Sequence, residues 1–325
     1  MNEEETMSNK LSTLILVLII LSMLLGMTFG ASSQEKKIVL GTSIITYEHP
    51  FYIDVVNGMK KAAEKAGVEM LLDDPKAKLD AQVKALETYI TRGVDAIVLF
   101  GVDPEGVVPV VEEAVAKGIP VITADMELKT DKVVTFIGSD NYQIGTEVGK
   151  WTKDYIEKEM DGKAKIGVLW WAVSVAQQQR TQGFLDQVTQ LPGVEIVAKQ
   201  NVEEGLRENA MTVAENIMTA NKDIDILFGG NQTCTMGAVS AVEAAGANVK
   251  VVGVDIDTEM VQAIKDGKLF ATVAQQPIVL GSTAIETALK KLNGEEIPKR
   301  ITIPVLLVTQ ENLEKATKEL EILEY

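Results

Sequence analysis

The feature that most constrains this chain is a repeated alternation of short, uninterrupted apolar runs with longer segments of helical spacing. Ile38–Leu40, Met70–Leu72, Ala96–Phe100 and Pro120–Thr123 are too short to be helices. Between them lie helical patterns such as Tyr52, Val56, Met59 and Ala63, then Val83, Leu86 and Ile90. Strands apolar on both faces, separated by helices, belong to a parallel sheet covered on both sides. After Val133–Ile137 the pattern starts again, with a helix through Ile144, Val148, Trp151 and Tyr155 and strands near Ile166–Leu169, Val194–Val197, Ile224–Phe228 and Val251–Val254. Helices are expected over Met211–Ala220, Met236–Ala245 and Thr258–Lys265, the last closed by Gly267. The expected fold is α/β: two doubly wound parallel-sheet lobes, which a chain of 325 residues is long enough to build.

Residues 1–30 stand outside this pattern. Leu11 to Met27 is an apolar run, followed by the small residues Gly30-Ala31-Ser32-Ser33 and then by charge, the pattern of a secretory signal peptide cleaved near Gly30-Ala31. Glu3, Glu4 and Glu5 oppose the usual positive leader, and a start at Met7 would restore it. No Cys follows the run to carry a lipid. The mature protein is therefore expected to be soluble and extracytoplasmic, periplasmic in a cell with two membranes. A run near the lower limit for spanning a bilayer is also compatible with a retained anchor.

Composition removes several classes. A formal charge of −16 repels phosphate backbones, so no nucleic-acid partner is expected. One Cys (Cys234) and one His (His49) exclude a disulfide framework and a Cys/His zinc site, and neither metal nor cofactor is expected. There is no G-x-S-x-G, G-x-x-x-x-G-K-[ST] or G-x-G-x-x-G motif after a strand, so the commonest hydrolase and nucleotide-binding signatures are missing.

In open parallel sheets ligands bind beyond the carboxyl ends of the strands. The segments there carry His49, Asp103, Asp125, Trp170, Trp171, Asn231 and Asp255, so two such edges facing each other would form a polar, aromatic-lined cleft. Asp125 and Asp255 have the chemistry for a general acid and base acting on a sugar, and equally for acceptors of sugar hydroxyls. Catalysis would further need one carboxyl with a raised pKa. Binding without turnover is the expectation, and the chain is not expected to be an enzyme.

Taken in order, His49-Pro-Phe-Tyr52, Gly118-Ile-Pro-Val-Ile-Thr-Ala-Asp125, Gly138-Ser-Asp-Asn141, Arg180-Thr-Gln-Gly-Phe184, Gly230-Asn-Gln232, Val252-Gly-Val-Asp255 and Asp266-Gly-Lys-Leu-Phe-Ala-Thr-Val-Ala-Gln275 resemble the ribose-binding branch of the periplasmic sugar-binding proteins that serve ABC importers. The resemblance covers nearly all of residues 36–310. It implies two lobes joined by three hinge crossings, near Gly138, Gln275 and Ile303, with a ligand cleft between them. The first lobe would be residues 36–138 with 276–302 and the second 139–275 with 303–325, the tail helix through Leu313, Ala316 and Leu320 packing on the second. The partners implied are a small-molecule sugar and an ABC permease, for a protein acting as a monomer.

Position by position, the resemblance assigns Phe51 and Tyr52 to the aromatic faces that enclose the sugar ring, and Asp125, Asn231, Asp255 and Gln275 to its polar contacts. His49 stands where this branch more often has Asn, as a ligand contact or a helix cap. Two arginines that grip hydroxyls in the family are replaced by Met126 and Gln178, while Arg180 remains at a position that is not the main sugar contact. Gly101 likewise replaces an amide. The family's later Phe is replaced around Gly205 and Leu206, and one of Trp170 and Trp171 would supply the missing stacking face, Trp171 being favoured. With two guanidinium groups gone, the expected ligand is a deoxy- or alkylthio-substituted pentose or a small polyol, with ribose as the alternative. A sugar-sensing receptor ectodomain or chemoreceptor partner is a second reading. A transcriptional regulator sharing this fold would need a helix-turn-helix where the apolar segment lies.

Overall fold

A computed structural model describes residues 37–320; the expected signal segment and the last five residues of the tail lie outside the described residues. The first sheet is formed by β1 (Val39–Ser43), β2 (Glu69–Asp73), β3 (Ala96–Leu99), β4 (Val121–Ala124), β5 (Thr135–Gly138) and β11 (Arg300–Thr302). Its order is β11-β5-β4-β3-β1-β2, and every pair is parallel. The second contains β6 (Lys163–Trp170), β7 (Gly193–Asn201), β8 (Ile226–Gly229), β9 (Lys250–Val254), β10 (Leu269–Ala274) and β12 (Leu306–Thr309), in the order β12-β10-β9-β8-β6-β7. The two orders correspond strand for strand. The difference is at one edge, where β12 runs antiparallel to β10.

The helices are α1 (Pro50–Ala66), α2 (Leu79–Arg92), α3 (Val108–Ala116), α4 (Asn141–Glu159), α5 (Val175–Val188), α6 (Arg207–Ala220), α7 (Gln232–Ala245), α8 (Thr258–Lys265), α9 (Pro277–Leu292) and α10 (Leu313–Glu319). The expectation of two doubly wound lobes is met. Central strands such as β3, β4 and β8 are buried along their whole length, as their continuous apolar sequences require. One face of the second sheet packs Ile217, Leu227 and Val251; the other packs Ile166, Val168 and the stacked rings of Phe184 and Phe228, 4.1 Å apart. On the first sheet Leu86, Ile97, Leu99 and Val121 share one core. The left-handed residue that ends α8 falls at Gly267, φ +70°, as expected.

Three things depart from the sequence expectation. The second sheet is not wholly parallel. β7 extends to Asn201 as an exposed edge strand, and its half-polar pattern hides that length. α9 adds a long helix against α1 that the reading of apolar runs did not mark out.

The chain passes between the sheets three times: after β5, after β10, and between β11 and β12. These passages lie side by side. Ile303 N–H donates to the Gly138 carbonyl at 3.0 Å, and Gln276 Nε2 donates to the Pro304 carbonyl at 2.9 Å. Leu313 and Ala316 of α10 join the core of the second sheet.

Candidate functional site

Asp125 and Asp255 occupy the same topological place in the two lobes, immediately beyond β4 and β9. Each turns the chain in the left-handed region, with φ +64° and +74°. Each backbone N–H donates to the next strand at 2.9 Å, Asp125 to Ile137 and Asp255 to Val273. Aspartate tolerates this backbone better than most L residues, and its short carboxylate is held directly at the strand end. After Asp125 the chain closes a three-residue turn, Met126 N–H donating to Ala124 at 2.8 Å, which leaves Met126 partly buried beside the carboxylate.

In the first lobe the carboxylate meets aromatic rings. His49 is the N-cap of α1: its Nδ1 accepts from the Phe51 N–H at 3.2 Å, and the residue is exposed. Capping places Phe51 and Tyr52 in the first turn, edge to face at 5.2 Å. Tyr52 packs on the fully buried Phe100 and its hydroxyl donates to Asp125 Oδ2 at 2.6 Å. Burial pushes the Asp125 carboxyl above the ordinary range; the Tyr52 hydrogen bond and then the Arg180 guanidinium oppose the rise, and the Asp255 charge adds to it. Charged groups of both lobes thus act on one carboxylate. The Tyr52 phenol is pushed well up, by burial first and then by Asp125.

In the second lobe Asp255 is a hub. Its Oδ1 accepts from Gln275 Nε2 at 2.8 Å, its Oδ2 accepts from the Gln232 N–H at 3.1 Å, and Arg180 Nη1 lies 3.8 Å away. Asn231 caps α7, its Oδ1 accepting from the Cys234 N–H at 2.9 Å and from Thr233 Oγ1 at 3.1 Å. Arg180 is 7% exposed, and its Nε donates to Asn141 Oδ1 at 2.8 Å. Gln275 is buried at the end of β10.

The tryptophan pair separates by strand alternation. Trp170 lies under Lys199 Nζ, 3.9 Å from the ring centroid, towards the edge strand β7. Trp171 covers Gly205: a Cβ there would lie 3.5 Å from the indole, and Gly205 has φ +63°. A ring on one loop thus occupies the space beside a glycine on another. Gln178 is exposed, its Nε2 donating to the Ala172 carbonyl at 2.8 Å. The structure therefore does not join Gln178 to the contacts around Asp255.

Sequence reasoning missed Gln177. It is 3% exposed, and its Oε1 accepts from the Trp171 N–H at 2.8 Å. The signal was present: Gln177, Arg180, Thr181 and Phe184 follow i, i+3, i+4, i+7 spacing, the buried face of α5. Among the described residues there is no cluster able to hold a metal ion, and no helix is long and apolar enough to cross a membrane.

The periplasmic binding protein domain model matches residues 40–296. A ribose import binding protein of Bacillus subtilis is 32% identical over 280 residues, spanning 86% of this chain and 90% of that protein. An ABC transporter periplasmic solute-binding protein from Actinobacillus succinogenes, solved with bound D-allose, is 28% identical with TM-score 0.79, over 86% of this chain and 100% of that one. A protein from Mycobacterium smegmatis, solved in complex with β-D-fucofuranose, is 29% identical with TM-score 0.77, over 87% and 96%. Matches along nearly the whole of both lobes are what a shared architecture, rather than a shared motif, produces, and the chain belongs to the periplasmic binding protein domain family, in its ribose-binding-like branch.

Proposed function

We propose that this chain is the extracytoplasmic solute-binding protein of an ABC-type importer, capturing a monosaccharide by hinge closure and delivering it to a membrane permease. The carrying observation is the pair Asp125 and Asp255 at equivalent strand ends, each fixed by its backbone, with Tyr52 beside one and Gln275 beside the other. Carboxylates accept from vicinal hydroxyls, and the faces of Phe51, Tyr52 and Trp171 suit the C–H faces of a sugar ring. His49, Asn231 and Arg180 complete the polar lining. The lobes that close are residues 36–138 with 276–302 and 139–275 with 303–325.

The ligand we propose is a pentose or substituted pentose, such as a deoxy- or alkylthio-sugar. Met126 offers no hydrogen-bond donor, and the amide nitrogen of Gln178 is engaged by Ala172. A hydroxyl enclosed without a partner costs about 1–3 kcal/mol, so a ligand with fewer hydroxyls fits this lining better. The relatives support a monosaccharide ligand: one is named for ribose import, and others are solved with D-allose and with β-D-fucofuranose. The chemistry is capture without bond breaking, so sugar recovered after long incubation is unchanged.

The test is a thermal-shift and tryptophan-fluorescence titration with pentoses, hexoses, polyols, deoxy-sugars and alkylthio-sugars. A ligand at a hundredfold excess over Kd stabilises by about 2.7 kcal/mol, an easily read shift. The expected hit is a substituted pentose whose effect Asp255→Ala abolishes. No response to any sugar overturns the carbohydrate reading; tight ribose binding with no response to substituted pentoses overturns the specificity.

A further inference from the structure

We infer that Trp171, Val173, Val175 and Leu206 form a subsite for an apolar substituent on the captured sugar, alongside the polar floor of Asn231 and Asp255. The inference rests on the carbohydrate reading above and adds to it the residues that read the substituent.

Val173 is 73% exposed, Val175 65% and Leu206 50%, three of the six exposed large hydrophobic residues among the described residues. All three lie in the two segments that follow β6 and β7, at the carboxyl edge of the second sheet. Exposure here is not looseness. The Ala172 N–H donates to Asn201 Oδ1 at 2.8 Å, the Val202 N–H donates to the Trp170 carbonyl at 2.8 Å, the Trp171 N–H donates to Gln177 Oε1, and the indole covers Gly205. A hydrogen-bonded frame therefore holds the segments from which these apolar side chains project outward.

The frame leads into the sugar floor. Thr233 Oγ1 donates to the Gly205 carbonyl and also pairs with Asn231 Oδ1, so one hydroxyl joins the Trp171–Gly205 shelf to the cap of α7, whose first N–H meets Asp255. Three backbone groups of this edge are already engaged: the N–H groups of Trp171 and Ala172 by Gln177 and Asn201, and the Ala172 carbonyl by Gln178. A ligand hydroxyl placed against these backbone groups would lose water and find none of them free. An alkyl or thioether group gains apolar contact there, and sulfur gains contact with the indole. That continuity with the floor identifies the occupant as part of the ligand.

The experiment is calorimetric titration of the protein with D-ribose, 5-deoxy-D-ribose and 5-methylthio-D-ribose, repeated with Leu206→Ser, Val173→Ser and Val279→Ser. Val279 is an exposed apolar residue of α9 outside the site and serves as the control. The expected result is at least about a tenfold preference for the methylthio sugar over ribose, the effect of burying roughly two CH2-sized groups. Leu206→Ser and Val173→Ser then collapse the ratio towards one, and Val279→Ser preserves it. A preference that survives both serine variants overturns the subsite and leaves the carbohydrate reading standing. The subsite is equally overturned if ribose binds as tightly as the methylthio sugar, or if the variants keep the ratio and lose permease-dependent uptake, which makes the shelf a permease surface. Absence of binding by any sugar overturns both readings.

Discussion

Removing the Asp255 side chain separates two contributions that the structure combines at one residue. The carboxylate accepts from Gln275 Nε2 at 2.8 Å and from the Gln232 N–H at 3.1 Å, and it faces the buried Arg180 guanidinium at 3.8 Å. A hydrogen bond to a charged group contributes about 1.5–3 kcal/mol. Gln275 is 9% exposed and has little water to turn to, whereas the Gln232 N–H opens a half-buried helix start, so the combined loss is about 3 kcal/mol. The other contribution is backbone: φ is +74°, which glycine adopts freely and alanine does not. After allowing for the greater flexibility of glycine in the unfolded chain, Asp255→Ala is expected to be about 1 kcal/mol less stable than Asp255→Gly. At about 2–4 °C per kcal/mol, Asp255→Gly melts about 6–12 °C below wild type and Asp255→Ala about 2–4 °C lower still. Tryptophan fluorescence suits the assay, because Trp151, Trp170 and Trp171 all lie in the lobe that holds Asp255. Alanine melting level with glycine would refute the backbone argument; both melting with wild type would refute the hub.

Asp125 sets a pH dependence of definite sign. Its folded-state pKa is raised by burial, so the folded protein binds that proton more tightly than the unfolded chain does; its stabilising contribution is complete below the ordinary carboxylate pKa and is lost as pH rises through the raised value. Asp125→Asn is expected to flatten this part of the urea-midpoint profile above the ordinary carboxylate pKa, and an unchanged slope would contradict the assignment. Trp171→Leu should weaken sugar binding about tenfold or more and remove most of the ligand-induced fluorescence change, while Trp170→Leu leaves both largely intact; equal effects would contradict the opposite orientations of the rings. A Cβ on Gly145 would fall 1.8 Å from the Arg180 carbonyl oxygen, so Gly145→Ala should separate α4 from α5 and lower stability by about 2–3 kcal/mol in urea denaturation.

What could be read from the sequence follows what is local. β3, β4 and β8 are four-residue strands buried throughout, and their composition alone marks them. The α8 boundaries, Thr258–Lys265, were legible from period and from Gly267. β11 is three residues with an exposed Arg300 at its start, and β12 takes its antiparallel direction from pairing with β10, so neither orientation is written in its own residues. In the site, the strand-end positions of Asp125 and Asp255 were legible because their strands were. Which of Gln177, Gln178 and Gln179 turns inward was harder, since it depends on the phase of α5, and the Ser174 N-cap fixes where that helix begins. Alternation says that Trp170 and Trp171 diverge; only the packing of Trp170 under Lys199 and of Trp171 over Gly205 says which goes where.

The two lobes solve one problem with unlike partners, and the difference bears on closure. Both place an aspartate in a backbone conformation that costs about 1 kcal/mol or more, strain of the kind that folds retain at functional sites. Asp125 receives a phenol hydroxyl, whereas Asp255 receives two N–H donors and faces a guanidinium. The Asp255 charge adds to the rise at Asp125, a repulsion between the two carboxylates. Arg180 offsets part of the repulsion, since it opposes the rise at Asp125 while facing Asp255. On the proposed reading a sugar supplies the rest, because each hydroxyl donated to a carboxylate stabilises its charge where water has been removed. An empty cleft keeps the repulsion and a filled one relieves it, so the closed state is favoured by the ligand's differential affinity, and a permease that recognises closure recognises loading.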